Sequence, residues 1–272
     1  MSAKNILCAC SLLSAVFLSS TAVAEEEYIF SAPPRETGEN ETEVYQPVAD
    51  YLSKATGKKI VYRHSDNWLS YQDGMRKGAY DLVFDGPHFV SWRMARLKHV
   101  PLVKLPGNLA FVVVVRKDNK HINNVKDLAG RPVCGMAPPN LATLTLYSQF
   151  DNPARQPLIT EVRSFELAYQ GVIGGKCVGT VMRDQLLAKL DKDKESVRII
   201  FRSPGMPNQA FSAGPRFSTE ERNRIAEALL SPEARKQLPQ FFGRYSKDKD
   251  LIRAQDAEFR DLLVLLKDTW GF

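Results

Sequence analysis

The chain has 272 residues, 44% of them hydrophobic and 25% charged, a composition expected of a globular chain and not of a wholly disordered one. Lys and Arg number 37 against 31 Asp and Glu, a formal charge of +6. That modest excess favours anionic ligands through the long-range field, but no tract of Lys and Arg is dense enough for a nucleic-acid partner.

The N-terminus comes first. Lys4 gives a weakly positive start, residues 6–18 are almost all apolar or small, and Thr21-Ala22-Val23-Ala24 precedes three glutamates. This order reads as a secretory signal peptide cleaved after Ala24. The apolar run is short for a membrane anchor, and too little of it precedes Cys10 for lipid attachment. No later segment could span a membrane. Cys8 and Cys10 leave with the signal, so Cys134 and Cys177 remain. In an oxidising compartment this pair reads as a disulfide, with two buried free thiols as the alternative.

Residues 27–32 read as a strand, followed by the loop Pro33-Pro34-Arg35. Across 43–55, Val44, Val48, Leu52 and Ala55 have helical spacing, and Gly57 stops the helix. A strand over 59–63, a helix over 67–77 capped by Asp66 or Asn67, and a strand over 81–84 follow. Residues 87–97 are helical, with Pro87 in the first turn. Residues 109–116 carry four consecutive valines and read as a buried strand or a crossing between lobes.

The second half repeats the theme. Residues 125–128 form a helical turn, and strands cover 130–135, 159–163, 177–182 and 197–201. Helices over 140–150, 166–174 and 184–190 alternate with them. Residues 209–213 read as a returning strand, and the tail as helices over 219–230, 232–242 and 250–270. Alternating strands and helices argue for an α/β fold with parallel sheets covered on both faces. One such unit, a crossing, a second unit and a return suit a hinged two-lobe binder.

Several segments carry a family resemblance. They are Val48-Ala49-Asp50-Tyr51-Leu52 before Thr56-Gly57-Lys58, Gly78-Ala79-Tyr80-Asp81-Leu82-Val83-Phe84, and Gly86-Pro87-His88-Phe89. The run 112–117 and Lys126-Asp127-Leu128-Ala129-Gly130-Arg131 complete the set. In order and spacing the chain resembles the phosphate/phosphite/phosphonate solute-binding proteins of ABC transporters, over nearly all of its length after the signal. The resemblance implies a two-lobed type II periplasmic-binding-protein fold, each lobe a mainly parallel sheet flanked by helices. Residues 1–24 would be the signal, 25–110 with 209–272 the first lobe, and 111–208 the second lobe with the hinge crossings. It implies a monomer that captures a small anionic ligand in the periplasm, without catalysis or cofactor, and delivers it to a membrane permease. Presentation of the liganded form to a sensor kinase is the alternative. The fold also implies that the strands carrying Cys134 and Cys177 lie side by side.

Candidate ligand residues follow from the loops at strand ends. Arg35 offers paired planar donors in a rigid Pro-Pro context; otherwise it is a surface arginine. Asp85-Gly86-Pro87-His88 opens a helix, where His88 can donate or accept and Asp85 could instead be a cap. Trp68 and Tyr71 form either an aromatic wall or core. In the second lobe, the family's Ser/Thr-rich turn is replaced by Pro138-Pro139-Asn140-Leu141-Ala142-Thr143, leaving Asn140, Thr143 and the helix start as polar donors. The family's frequent Ser-His is Ser164-Phe165 here, and its frequent acidic residue after the strand is Arg183. Arg183 either faces the ligand or pairs with Asp184 or Asp85. The ligand site is therefore expected to diverge from that of the phosphonate binders. Catalytic signals are lacking: there is no Gly-x-Ser-x-Gly elbow and no Cys-x-x-Cys, and His64, His88, His99 and His121 show no metal spacing.

Overall fold

The computed structural model describes residues 26–272 apart from 194, 248 and 270. The expected signal peptide and its cleavage point lie outside the described residues. Strand β1 (Glu27–Ser31) leads through the Pro33-Pro34 loop into helix α1 (Gly38–Thr56), whose buried stripe is Val44, Tyr45, Val48, Ala49 and Leu52. Gly57 ends the helix at φ 71°, a left-handed position that suits glycine, with its N–H on the Ser53 carbonyl. Next come β2 (Lys59–Tyr62), α2 (Trp68–Arg76) capped by the Asn67 side chain, β3 (Leu82–Asp85), α3 (Pro87–Leu97) and β4 (Val100–Lys104). No element was expected at 100–104.

The second unit starts with the short β5 (Asn108–Leu109) and the valine strand β6 (Phe111–Arg116). It continues through β7 (Pro132–Gly135), α4 (Leu141–Tyr147), β8 (Leu158–Glu161) and α5 (Phe165–Ile173). Then follow β9 (Gly179–Arg183), α6 (Asp184–Leu190) and β10 (Val197–Arg202). The chain returns through β11 (Met206–Pro207) and β12 (Ala210–Ala213). It ends in α7 (Thr219–Leu230), α8 (Pro232–Gln237), α9 (Pro239–Tyr245), β13 (Ile252–Arg253), α10 (Asp256–Phe259) and a 3₁₀ segment, Leu262–Leu266.

Two main sheets result, in the orders β13-β4-β12-β3-β1-β2 and β10-β6-β9-β7-β8. The parallel pairs expected from the alternation are β1 with β2 and β3, and β7 with β8 and β9. The crossing and returning strands β4, β6, β10, β12 and β13 add antiparallel pairs, so each sheet is mixed. A short ribbon of β5 and β11 joins the two bodies, pairing Met206 with Leu109 and Pro207 with Asn108. Each sheet has its own core. Phe30, Tyr45, Leu52, Phe84 and Phe211 centre the first, and Phe111, Val113, Val133 and Val181 belong to the second.

The tail departs from the expected continuous helix over 250–270. Ile252–Arg253 instead pairs with β4, and Gln255 caps α10 reciprocally with Glu258. The leucines that follow sit in the seam between the bodies. Leu262 and Leu265 pack against the second core, while Leu265 and Leu266 also pack on a cluster of Ile29, Tyr71, Phe89 and Leu144. Ser91 of α3 fixes this segment, donating to the Arg260 carbonyl at 3.0 Å and accepting from the Leu263 N–H at 2.9 Å.

Cys134 on β7 is disulfide-bonded to Cys177, just before β9, with the α-carbons 5.6 Å apart. The two-thiol alternative is thereby set aside. Helix α5 presses on the bridge: a methyl group at Gly171 would lie 2.5 Å from the Cys134 sulfur. Thiol titration of the denatured, unreduced mature chain should find no free thiol. Replacing both cysteines by alanine should cost about 2–4 kcal/mol in urea unfolding, given the length of the closed loop. Two titratable thiols would contradict the bridge.

Candidate functional site

The site is built at the ends of β1, β3 and β9, where the two bodies face each other. In the first body, Glu41 of α1 is buried and takes up the loop after β1. It accepts from the Arg35 N–H at 2.6 Å, the Glu36 N–H at 3.2 Å, the Tyr62 hydroxyl at 3.3 Å and His64 Nδ1 at 3.0 Å. This clamp aims Arg35 inward. Its guanidinium is half-buried, donates to the Tyr45 hydroxyl at 3.2 Å and lies 5.9 Å from the Phe84 ring centre. Among the described residues it has no carboxylate partner in an ion pair. Burial works against its charge, but Tyr45, Tyr245 and Asp85 outweigh this and raise its pKa further. The Tyr45 and Tyr245 hydroxyl oxygens are 2.5 Å apart, and Tyr245 forms part of the cleft wall.

Asp85, at the end of β3, is fully buried and ion-paired. Arg93 Nε donates to it at 2.6 Å and the Tyr71 hydroxyl at 2.6 Å, while Arg93 Nη2 donates to the Tyr71 oxygen at 2.9 Å. Burial pushes the Tyr71 phenol well up, so it stays protonated and can donate to the carboxylate. Tyr71 and Asp85, both expected at the ligand, are thus held in a closed triangle with Arg93. Trp68 packs beside them, its ring centre 6.0 Å from that of Phe89 and 6.4 Å from that of Tyr71.

His88 crosses to the second body. Its Nε2 lies 3.2 Å from the Pro139 carbonyl, which only accepts, so Nε2 carries the ring proton. Burial is the main cause that pulls the His88 pKa down to about 3, with the Arg35 charge in the same direction and the Pro139 carbonyl opposing. The ring is neutral at physiological pH. The Pro138–Pro139 peptide is cis. Beyond it, Asn140 caps α4 by accepting from the Ala142 N–H at 3.0 Å, and the buried Thr143 hydroxyl donates to the Met136 carbonyl at 2.5 Å.

Arg183 ends β9, is exposed, and stacks 5.6 Å from the centre of the Phe165 ring. Neither expected acidic partner holds it, since Asp184 pairs with Arg202 and Asp85 with Arg93. Arg183 instead lines a cleft of about 570 Å³ between the bodies, opposite Arg244 and Tyr245. The sequence reading did not single out Glu41, Tyr45, Arg93, Arg244 or Tyr245. For Arg93 a signal existed: it lies one helical repeat after Phe89, on the buried face of α3. Among the described residues no group of three or more His, Cys, Asp or Glu could hold a metal ion, and no helix is long and apolar enough to cross a membrane.

Two α/β bodies joined by a short ribbon, with a cation-lined cleft at their strand ends, define a two-lobed solute-binding protein of the type II periplasmic class. More narrowly, residues 30–259 match the model of the family described as ABC transporter, phosphonate, periplasmic substrate-binding protein, and the chain belongs to that family. A relative named phosphate-import protein PhnD, from Mycolicibacterium smegmatis, is 31% identical over 129 residues. That stretch is 44% of this chain and 40% of the relative, so the match spans less than half of the relative's length. Among solved structures, XAC2383 from Xanthomonas citri bound to ATP aligns with a TM-score of 0.67 at 14% identity, covering 88% of this chain and 95% of that one. PhnD1 from Prochlorococcus marinus in complex with methylphosphonate aligns with a TM-score of 0.65 at 15% identity, covering 89% and 98%. At such identities the two structures show a shared fold.

Proposed function

We propose that the chain captures a small anionic solute between its lobes in the periplasm and presents the closed, loaded form to the permease of an ABC-type importer. The observation that carries this reading is Arg35. Its loop is clamped by Glu41, its guanidinium is half-buried at the lobe junction, and its only hydrogen-bonding side-chain partner among the described residues is the Tyr45 hydroxyl. A fixed planar fork with unfilled donors suits a carboxylate or phosphate-type oxyanion. Arg183, without a carboxylate partner on the opposite wall, gives the second positive contact. His88, Asn140 and Thr143 shape the inner end of the junction, and Trp68, Tyr71 and Asp85 stiffen the first lobe behind Arg35. Residues 1–24 direct export and are cleaved off after Ala24, and the moving bodies are 25–110 with 209–272, and 111–208. The oxyanion named in the relative from Mycolicibacterium smegmatis, and the phosphonate in the Prochlorococcus marinus structure, support the ligand class.

Native mass spectrometry of the protein purified from its host should identify a co-purifying anion. With that anion, Arg35→Ala and Arg183→Ala should each weaken binding by about 1.5–3 kcal/mol, the value of a charged hydrogen bond, with little change in unliganded stability. Wild-type affinity in both variants would refute the site. A host lacking the gene should lose uptake of the anion; intact uptake with a lost transcriptional response would favour the kinase-coupled reading.

A further inference from the structure

The start of the second-lobe helix offers few free donors to a bare oxyanion. Pro138 and Pro139 have no N–H donor. The Asn140 side chain is turned onto Ala142, and the Thr143 hydroxyl onto the Met136 carbonyl. The Asp85, Tyr71 and Arg93 triangle is closed as well. Besides the Arg35 fork, which lies outside its lining, what remains open at the junction is the cleft of about 570 Å³.

Among the described residues the charge of that cleft is one-sided. Arg183 and Lys189 stand on the second-lobe wall, and Arg244, Lys247 and Lys249 on the first-lobe wall. The acidic side chain of the lining among the described residues, Asp184, is paired with Arg202, and Arg244 is paired with Glu36. Among the described residues Arg183, Lys189, Lys247 and Lys249 have no carboxylate partner. Between these cations the lining is apolar, through Leu105, Leu109, Leu186 and the Tyr245 ring.

Walls of like charge repel across an empty cleft, with screening only over about 8–10 Å at physiological salt. A small anion with one charged group can neutralise one wall at a time. A ligand with negative groups spread along a body can bridge both walls and lay that body against the leucines. The volume also lies within the range of about 300–1,000 Å³ typical of organic-ligand pockets. We propose that this cleft takes an organic polyanion, of the class of phosphate esters carrying two or more negative charges, in place of a bare tetrahedral oxyanion. The inference rests on the capture reading above and specifies its ligand class.

Calorimetric titration of the full mature protein with methylphosphonate, pyrophosphate and ADP tests it. ADP should bind about tenfold or more tightly than methylphosphonate, as expected for at least one additional charged contact. Lys189→Ala combined with Lys247→Ala should weaken ADP binding by about tenfold or more and flatten its salt dependence. Both lysines are exposed, so the variant should keep the wild-type fold, which circular dichroism checks. Methylphosphonate binding as tightly as ADP, or an ADP affinity untouched by the double variant, overturns the inference and leaves the capture reading standing. Equal affinity for pyrophosphate and ADP overturns the organic body. Failure of the folded protein to bind any of the three overturns the inference; the capture reading, which also admits a carboxylate, is then decided by the co-purifying anion and the Arg35 and Arg183 variants.

Discussion

Arg93→Met is expected to lower the free energy of unfolding by about 3–5 kcal/mol, because it leaves the Asp85 carboxylate buried without its counter-charge. Both side chains of the pair are fully buried. Arg93 also lies 5.6 Å from the centres of both the Tyr71 and Tyr80 rings, so no solvent layer can replace it cheaply. The loss should come from the orphaned charge more than from the missing attraction, since desolvation offsets much of the gain in a buried pair. A triple replacement, Arg93→Met with Asp85→Leu and Tyr71→Phe, removes all three polar partners together and should recover much of the loss. Urea unfolding of the single and triple variants checks both parts. A single-variant loss below about 1 kcal/mol would show that the carboxylate reaches water. The site should feel this change, because Asp85 directly precedes the Gly86-Pro87-His88 turn that meets the second lobe.

Acid should weaken the fold well before carboxylates matter. His88 and His99 are both pulled down to about 3 from an ordinary value of 6.5. For His99 burial is the largest cause, with the Arg93 and Arg222 charges adding to it and hydrogen bonds involving Ser212 and Tyr80 opposing. Between pH 6.5 and 3 the unfolded chain therefore binds protons that the folded chain refuses. The stability associated with keeping these rings neutral is fully present above pH 6.5 and is lost as pH falls. The expected slope is about 1.4 kcal/mol per pH unit for each histidine, and about 2.7 for both together. Carboxylates held low, such as Asp127 on the Asn123 and Asn124 N–H groups, act in the same direction only below about pH 5. Urea unfolding at about pH 7.5, 6 and 5 isolates the histidine window. His99→Gln should halve the slope, and a flat wild-type profile over that range would mean the rings are protonated within the fold.

The alternation of strands and helices was legible because each α/β unit carries its own local marks. Val44, Val48 and Leu52 define the buried stripe of α1, and the valines of β6 define a central strand. Strand β4 was not legible because Pro101 interrupts its run, and a proline inside a strand argues against one. The structure accommodates it beside an irregularity, where the register of β12 shifts between Phe211 and Ser212. The tail misled for the opposite reason: its apolar residues are spaced well enough for a helix, but pairing with β4 and packing between two bodies override that preference. Of the site, the strand-end loops could be read, and Arg35, His88 and Arg183 all lie at the lobe junction. The partners that decide what each side chain can do could not, because Arg93 meets Asp85, and Tyr245 meets Tyr45, only through tertiary packing.

The leucine segment in the seam has a kinetic consequence. On the capture reading proposed above, ligand enters while the lobes are apart. Separation here must withdraw Leu265 and Leu266 from beside Leu144, and must break the His88 contact to Pro139. On that reading the free energy of those contacts would set the fraction of time for which the entrance stands open. That fraction multiplies the association rate directly, and it lowers the apparent affinity by the same factor as long as the shut, empty form cannot bind. On the same reading the terminal residues would govern how fast the molecule samples its surroundings without touching what it carries.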